Sequence, residues 1–298
     1  MLSVRDCCAS GLRICEAVNE NTKHTIKLYQ FMANPFDHPR GKFVTKENVG
    51  RVQKEIDHAD IIHIKGDSTW TDRYPGIKHY PSVRINHKPI IVTLSGTLTR
   101  GEEFGGLLQC DRQTYQHAKM VTAIGPDLMH DWVDYLTYYP IRRVEPLWKQ
   151  SDPPILQHIP SDRIGKGTKF LLEVLEKLNK KVTFELYENI TYREVLEVKK
   201  RATLFFDQFR GGWYGNNAVE AMNYGVPVAT WISDFSRRSI GDVPIITSNG
   251  GDEDWAVMID KILDSDMTAL SKQTKEYCDE YHSYEAVAKQ WDRIYKQI

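Results

Sequence analysis

The sequence predicts an α/β protein of two Rossmann-like domains in tandem, each with a parallel sheet and helices on both faces. Three observations predict it. Short apolar runs alternate with segments of helical period along most of the chain, the pattern of repeated strand–helix–strand units. A proline-rich stretch, VEPLWKQSDPPILQHIPSDR (144–163), breaks that rhythm near the middle, and the alternation then restarts. At 298 residues the chain is long enough for two cores of ordinary size. Two such sheets would face a central cleft, because ligands of these sheets bind beyond the carboxyl ends of the strands.

In order, MLSV (1–4) is a strand, and Leu12, Ile14, Cys15 and Val18 mark a helix over 6–19. TIKLYQFM (25–32) is a strand, and 46–58 is an amphipathic helix with Val49, Val52 and Ile56 on one face. ADIIHIKG (59–66), PIIVTLSGT (89–97) and AKMVTAIG (118–125) are buried strands, the last followed by Pro126 and a short helix around 128–135. The linker falls at 145–155, dividing a first domain (1–149) from a second (150–283). Beyond it come a helix over 166–179, the strand VTFELYE (182–188), a helix over 192–200 and the strand ATLFF (202–206). VPVATW (226–231) and VPIIT (243–247) are further strands, and three helices near 252–264, 267–281 and 284–297 close the chain.

Composition narrows the function classes. The chain is 41% hydrophobic and 27% charged with a net charge of -1, so no global field would hold nucleic acid or an anionic membrane. Short basic clusters such as Lys199-Lys200-Arg201 read as solvated helix ends. Five cysteines (Cys7, Cys8, Cys15, Cys110 and Cys278) show no metal-binding spacing, which fits a reduced cytoplasmic protein. Arg5 and Asp6 interrupt the start, so no signal peptide is expected, and no apolar run nears the roughly 20 residues needed to span a bilayer.

The most informative stretch is DQFRGGWYGNNAVEAMNYGVPVATW (207–231). It reads as a strand end, a glycine-rich turn, a short helix and another strand. Gly211, Gly212 and Gly215 let backbone N–H groups approach a ligand closely. The helix starting near Gly215 points its positive end at that turn, an arrangement suited to phosphate. Glu220 lies about one turn further on, in reach of ribose hydroxyls. Gly225 ends the helix and Pro227 prevents its continuation.

Together with HIPSDRIGKGTKFLLEVLEKL (158–178), this stretch resembles the donor-binding domain of GT-B glycosyltransferases, most closely the retaining GT4 group. The resemblance covers 150–298 well. Over 1–149 it rests on the placement of loops, CASG (8–11) and VTLSGTLTR (92–100) among them. It implies a GT-B fold whose last helix, 284–298, packs back on the first domain. It also implies a donor diphosphate held by Lys166, in a Lys-Gly pair opening a helix, and by Arg163. A cation beside a helix N-terminus suits a departing diphosphate on physical grounds as well.

Glu220 resembles the second glutamate of the family's Glu-seven residues-Glu motif, which holds the ribose. Gly212 stands where the first should be. The donor sugar then falls to the N–H groups of Gly215, Asn216 and Asn217, or to Asp207 and Gln208, with Tyr214 in the same donor-binding set. Gly11 and Ser10 fit a loop approaching the diphosphate from the other domain. Ser95 stands where the family often has a histidine, leaving Thr97 and Arg100 as polar candidates and His63 as a substitute.

The reaction implied is transfer of a sugar, with retention, from a UDP- or GDP-linked donor to the hydroxyl of a glycan, lipid, small molecule, protein or modified nucleobase. No cofactor or essential metal is implied. Asp252-Glu253-Asp254 reads as an acidic helix start and Asp264-Ser265-Asp266 as a turn between helices. The chain is short for the family, as phage and viral members are, which would place it in a host cytoplasm. An epimerase acting on a nucleotide sugar and a non-catalytic nucleotide-sugar-binding module are the alternatives.

Overall fold

The computed structural model describes residues 1–33, 37–66, 83–85, 88–95 and 112–298. The chain divides into two compact units, Met1–Pro140 with Tyr284–Ile298, and Ile141–Ser283.

In the first unit β1 (Leu2–Arg5), β2 (Tyr29–Met32), β3 (Lys42–Phe43), β4 (Ile62–Lys65), β5 (Ile90–Leu94), β6 (Met120–Ile124) and β7 (Tyr135–Thr137) form one parallel sheet in the order β3-β2-β1-β4-β5-β6-β7. This is the doubly wound order, with the chain reversing direction between β1 and β4. Among the described residues of this unit, α1 (Ser10–Asn21) and α2 (Val49–His58) connect its strands. β7 begins at the last residue of the helix expected over 128–135. A single 3₁₀ turn (Pro126–Leu128) follows β6, and Asp134 then binds β6 through its N–H to the Val121 carbonyl (2.8 Å) and its carboxylate to the Val121 N–H (2.7 Å).

The two faces of this sheet differ. Leu2, Tyr29, Ile64, Val92 and Val121 lie in an apolar core with Val52 and Ile56 of α2. Across the other face the register aligns Gln30, Ser3, Lys65, Thr93 and Thr122, all buried. The last helix of the chain, α10 (Tyr284–Tyr295), belongs to this unit. Its Tyr284 hydroxyl donates to Glu16 of α1 (2.6 Å), and Trp291 is fully buried.

His63, on the polar face, is 2% exposed. One ring nitrogen bonds the Tyr295 hydroxyl (2.8 Å), the other the Thr93 hydroxyl (2.6 Å), and Trp291 packs 4.5 Å from the ring. His63, considered from sequence for a catalytic role, is placed in the core with both nitrogens engaged inside the unit. Burial lowers its pKa well below the ordinary 6.5. The unfolded chain then binds a proton near pH 6.5 that the folded chain takes up only at lower pH, so stability falls on acidification. The slope is at most about 1.4 kcal/mol per pH unit for this group. Melting temperature should drop between pH 7.5 and 5.5, and His63→Gln should shrink that drop; an equal drop in parent and variant would contradict it.

The second unit holds a parallel sheet of β8 (Ile155–His158), β9 (Thr183–Leu186), β10 (Leu204–Phe206) and β11 (Val228–Ala229) in the order β11-β10-β8-β9. β8 lies inside the proline-rich stretch 144–163 and starts at the last residue of the expected linker, 145–155. Pro154 and Pro160 bound it at the ends, where proline interrupts no ladder. The preceding segment packs on this same unit: Leu147 and Trp148 donate backbone N–H bonds to the Tyr224 carbonyl, and the Trp148 indole donates to Thr203 (3.0 Å). The 243–247 run contributes a single parallel bridge, Ile246 to Ala229.

The helices of this unit are α3 (Arg163–Lys166), α4 (Thr168–Glu176), α5 (Tyr192–Lys199), α6 (Asn216–Asn223), α7 (Asp234–Ile240), α8 (Asp252–Leu263) and α9 (Thr268–His282). Leu156, Leu171, Leu204, Phe206, Trp255 and Ile259 lie in the core they enclose. Among the described residues no helix is long and apolar enough to cross a membrane.

Candidate functional site

The sheet of the second unit reverses direction between β8 and β10. Ligands of such sheets bind beyond the carboxyl ends of the two strands flanking that reversal. Lys166 follows β8, and Asp207 and Gln208 follow β10. The Lys166 ammonium lies 3.1 Å from Asp207 Oδ1 and 2.8 Å from Gln208 Oε1, with its side chain 16% exposed. The 166–179 helix expectation is corrected here: Gly167 (φ +69°) ends α3 directly after Lys166, and α4 starts at Thr168.

Opposite the lysine is the N-terminal end of α6. Gly215 is its N-cap and donates its N–H to Asp207 Oδ2. A Cβ at Gly215 would sit 3.0 Å from Lys166 Nζ and 3.1 Å from Asp207 Oδ2, so glycine is what permits this approach. The N–H groups of the first helical turn have no intrahelical acceptor and carry the positive end of the dipole. Gly211–Tyr214 are buried, whereas Gly215, Asn216 and Asn217 are only half-buried. At the far end Gly225 (φ +80°) closes α6: its N–H reaches the Met222 carbonyl (2.8 Å) and that of Val226 reaches Ala221 (3.1 Å).

Other predicted residues lie elsewhere. Tyr214 is 4% exposed and turned into the unit, where its hydroxyl bonds His282 Nε2 (2.8 Å) and the Tyr277 hydroxyl (2.9 Å). It braces the turn from beneath. Gly212 (φ +69°) presents its carbonyl to the Ser233 N–H (3.0 Å) and so fixes the turn to the cap of α7. Arg163 is paired with Glu188, which raises its pKa. Arg100 and Thr97 lie outside the described residues.

Glu220 is 2% exposed, with Oε2 2.6 Å from the ammonium of Lys199. Lys199, read from sequence as a solvated helix end, is fully buried. It also donates to Asn217 Oδ1 (2.7 Å), and Asn217 donates to the Ile159 carbonyl beyond β8 (2.9 Å). A buried cation on α5 thus locks the first turn of α6 to the end of β8. No sequence signal marks it, because a lysine at a helix end is ordinarily solvated.

The first unit repeats the geometry and closes it. Asp6 follows β1, Lys65 ends β4, and they pair at 3.1 Å with side chains 1% and 3% exposed. The Asp6 carboxylate accepts the N–H groups of Gly11 (2.7 Å) and Leu12 (3.0 Å). A protein carboxylate therefore occupies the helix end where Gly11 was expected to meet a diphosphate, and Lys65 Cδ fills the space a Gly11 Cβ would need (2.9 Å). Asp252 pairs with Lys177 (3.0 Å) and Asp266 accepts the Thr268 N–H (2.9 Å), so both acidic triplets include carboxylates engaged at or near helix starts.

No family model and no curated protein matches the chain. Solved structures do. HepE from Anabaena, solved with UDP-glucose, superposes with a TM-score of 0.67 at 11% identity, covering 100% of this chain and 99% of that one. An alpha-glucosyltransferase solved with UDP-glucose and DNA containing an abasic site gives 0.64 at 11%, with 99% of each chain covered. A glycosyltransferase from Rickettsia africae gives 0.63 at 12%, covering 99% and 97%. The fold is thus the α/β architecture of GT-B glycosyltransferases, with two parallel sheets. At such identities the likeness defines the fold, and the reaction has to be argued from the site.

Proposed function

We propose that the chain is a retaining glycosyltransferase of GT4 type, moving a hexose from a nucleotide-diphosphate donor to an acceptor hydroxyl. The observation that carries this is the Lys166 ammonium held against the N-terminal end of α6 at the sheet reversal of the second unit. Bond cleavage at the donor leaves positive charge on the sugar and negative charge on the diphosphate. Lys166 and the α6 end neutralise the second, which is the largest contribution such a site can make. The N–H groups of Asn216 and Asn217 bind the phosphate oxygens, and Asp207 and Gln208 accept from the sugar hydroxyls in place of the missing glutamate. Glu220 and Asn217, held by Lys199, form the polar floor on the ribose side.

With the diphosphate charge met by these groups, no essential metal is proposed. UDP is favoured over GDP as the donor nucleotide by the ligands of HepE and the alpha-glucosyltransferase. A cytoplasmic setting fits the free thiols of Cys15 and Cys278, and burial pushes the Cys15 thiol up to about 12.

Thermal shift with UDP, GDP and a panel of their sugars tests the proposal. A donor present at 100 times its Kd should add about 2.7 kcal/mol of stability. Nucleotide release that requires an added acceptor hydroxyl marks the transferase; conversion of the donor alone marks an epimerase, and binding without turnover a binding module. No shift with any nucleotide diphosphate at millimolar concentration would end the proposal.

A further inference from the structure

We propose that His158 is a positioning residue that sets Lys166 against the end of α6; this rests on the donor site proposed above. His158 is fully buried at the carboxyl end of β8. Its Nδ1 lies 2.9 Å from the Phe206 carbonyl, and a carbonyl only accepts, so Nδ1 carries the ring proton. Burial lowers the ring's pKa, so at neutral pH Nε2 carries no proton and accepts from the Thr168 hydroxyl, also at 2.9 Å. A neutral ring of one defined tautomer therefore joins the last residue of β10 to the first residue of α4.

Both contacts flank the lysine site. Phe206 immediately precedes Asp207, and Thr168 follows Lys166 by two residues. Between them Gly167 packs so closely that a Cβ there would meet Phe209 Cβ at 3.0 Å, and the Lys166 carbonyl accepts the Phe209 N–H (3.1 Å). Segment 166–168 is thus fastened to 206–209 through the ring of His158, the Lys166 backbone and the Lys166 ammonium. The lysine stem is flexible, so the position of its charge depends on how firmly its backbone is held. Binding and catalytic groups need placement within about 0.5 Å, and a shift of about 1 Å can cost roughly 10²-fold in rate.

The test is calorimetric titration of the full chain with UDP, and with inorganic pyrophosphate as a second probe. His158→Phe removes both ring bonds while filling the space; Thr168→Val removes only the bond to α4. Each is made in the parent and in Lys166→Ala. Both are expected to weaken binding ~10-fold in the parent and by less than about twofold once Lys166 is gone, the non-additivity of residues acting through one another. A purely structural histidine would weaken binding equally in both backgrounds. That result, or parent-like affinity in either folded variant, overturns the inference. If His158→Phe does not fold, the near-isosteric Thr168→Val carries the comparison. If Lys166→Ala itself leaves UDP and pyrophosphate binding unchanged, the donor-site proposal falls and this inference with it. Weakening by Lys166→Ala but not by the other two sinks only the role of His158.

Discussion

Lys166→Ala is expected to lower turnover by about 10²–10³-fold at saturating donor, the usual effect of losing one donor aimed at developing negative charge. In free energy that is roughly 3–4 kcal/mol of transition-state stabilisation. The lysine is partly exposed and lies between the Asp207 carboxylate and the end of α6, so its charge is already where a diphosphate would sit. Stability should suffer less. Asp207 keeps the Gly215 N–H when the ammonium is removed, and a lost partner of this kind costs about 1–3 kcal/mol. Initial rates at saturating donor, paired with a urea melt, separate the two effects. Turnover within about threefold of the parent would remove Lys166 from the chemistry, since one oxyanion-type donor is worth far more.

Lys199→Met should produce the largest loss of stability. It takes away the ammonium that lies 2.6 Å from the Glu220 carboxylate, 2% exposed, and strips Asn217 of a donor. Breaking a buried pair by removing one partner costs about 3–5 kcal/mol, whereas replacing both partners by apolar residues of similar volume is often neutral. The double variant Lys199→Met/Glu220→Met should therefore recover most of the loss in urea denaturation. A single variant within about 1 kcal/mol of the parent would show that the pair is not needed to hold α6.

Much of this fold was legible because apolar period and helix punctuation are local. β2, β4, β5, β6, β9, β10 and β11 fall within predicted runs, β1 runs one residue past its own, and α6 starts and stops at the glycines that mark it. Misses came where a local signal carried two meanings. No strand is predicted in the proline-rich stretch 144–163, yet two of its prolines bound β8. Asp134 draws β7 onto β6 at the end of the segment expected to be a short helix. α7 begins at a Ser233 cap whose side chain accepts the Ser236 N–H (3.2 Å), a signal present in the sequence and passed over.

For the site, sequence alone picked out the glycine-rich bend, the helix it opens and the lysine at 166, because glycine, helix dipole and cation are properties of short segments. It could not say which of two glycine-bearing loops is available. Register decided that, by bringing Asp6 to Lys65 and sealing one helix end with the protein's own carboxylate, while leaving Lys166 partly exposed beside the other. It could not separate a surface lysine from a buried one either. Lys199, His63 and His158 take their roles from partners 21, 232 and 48 residues away, and only the packed chain brings those partners within hydrogen-bond distance.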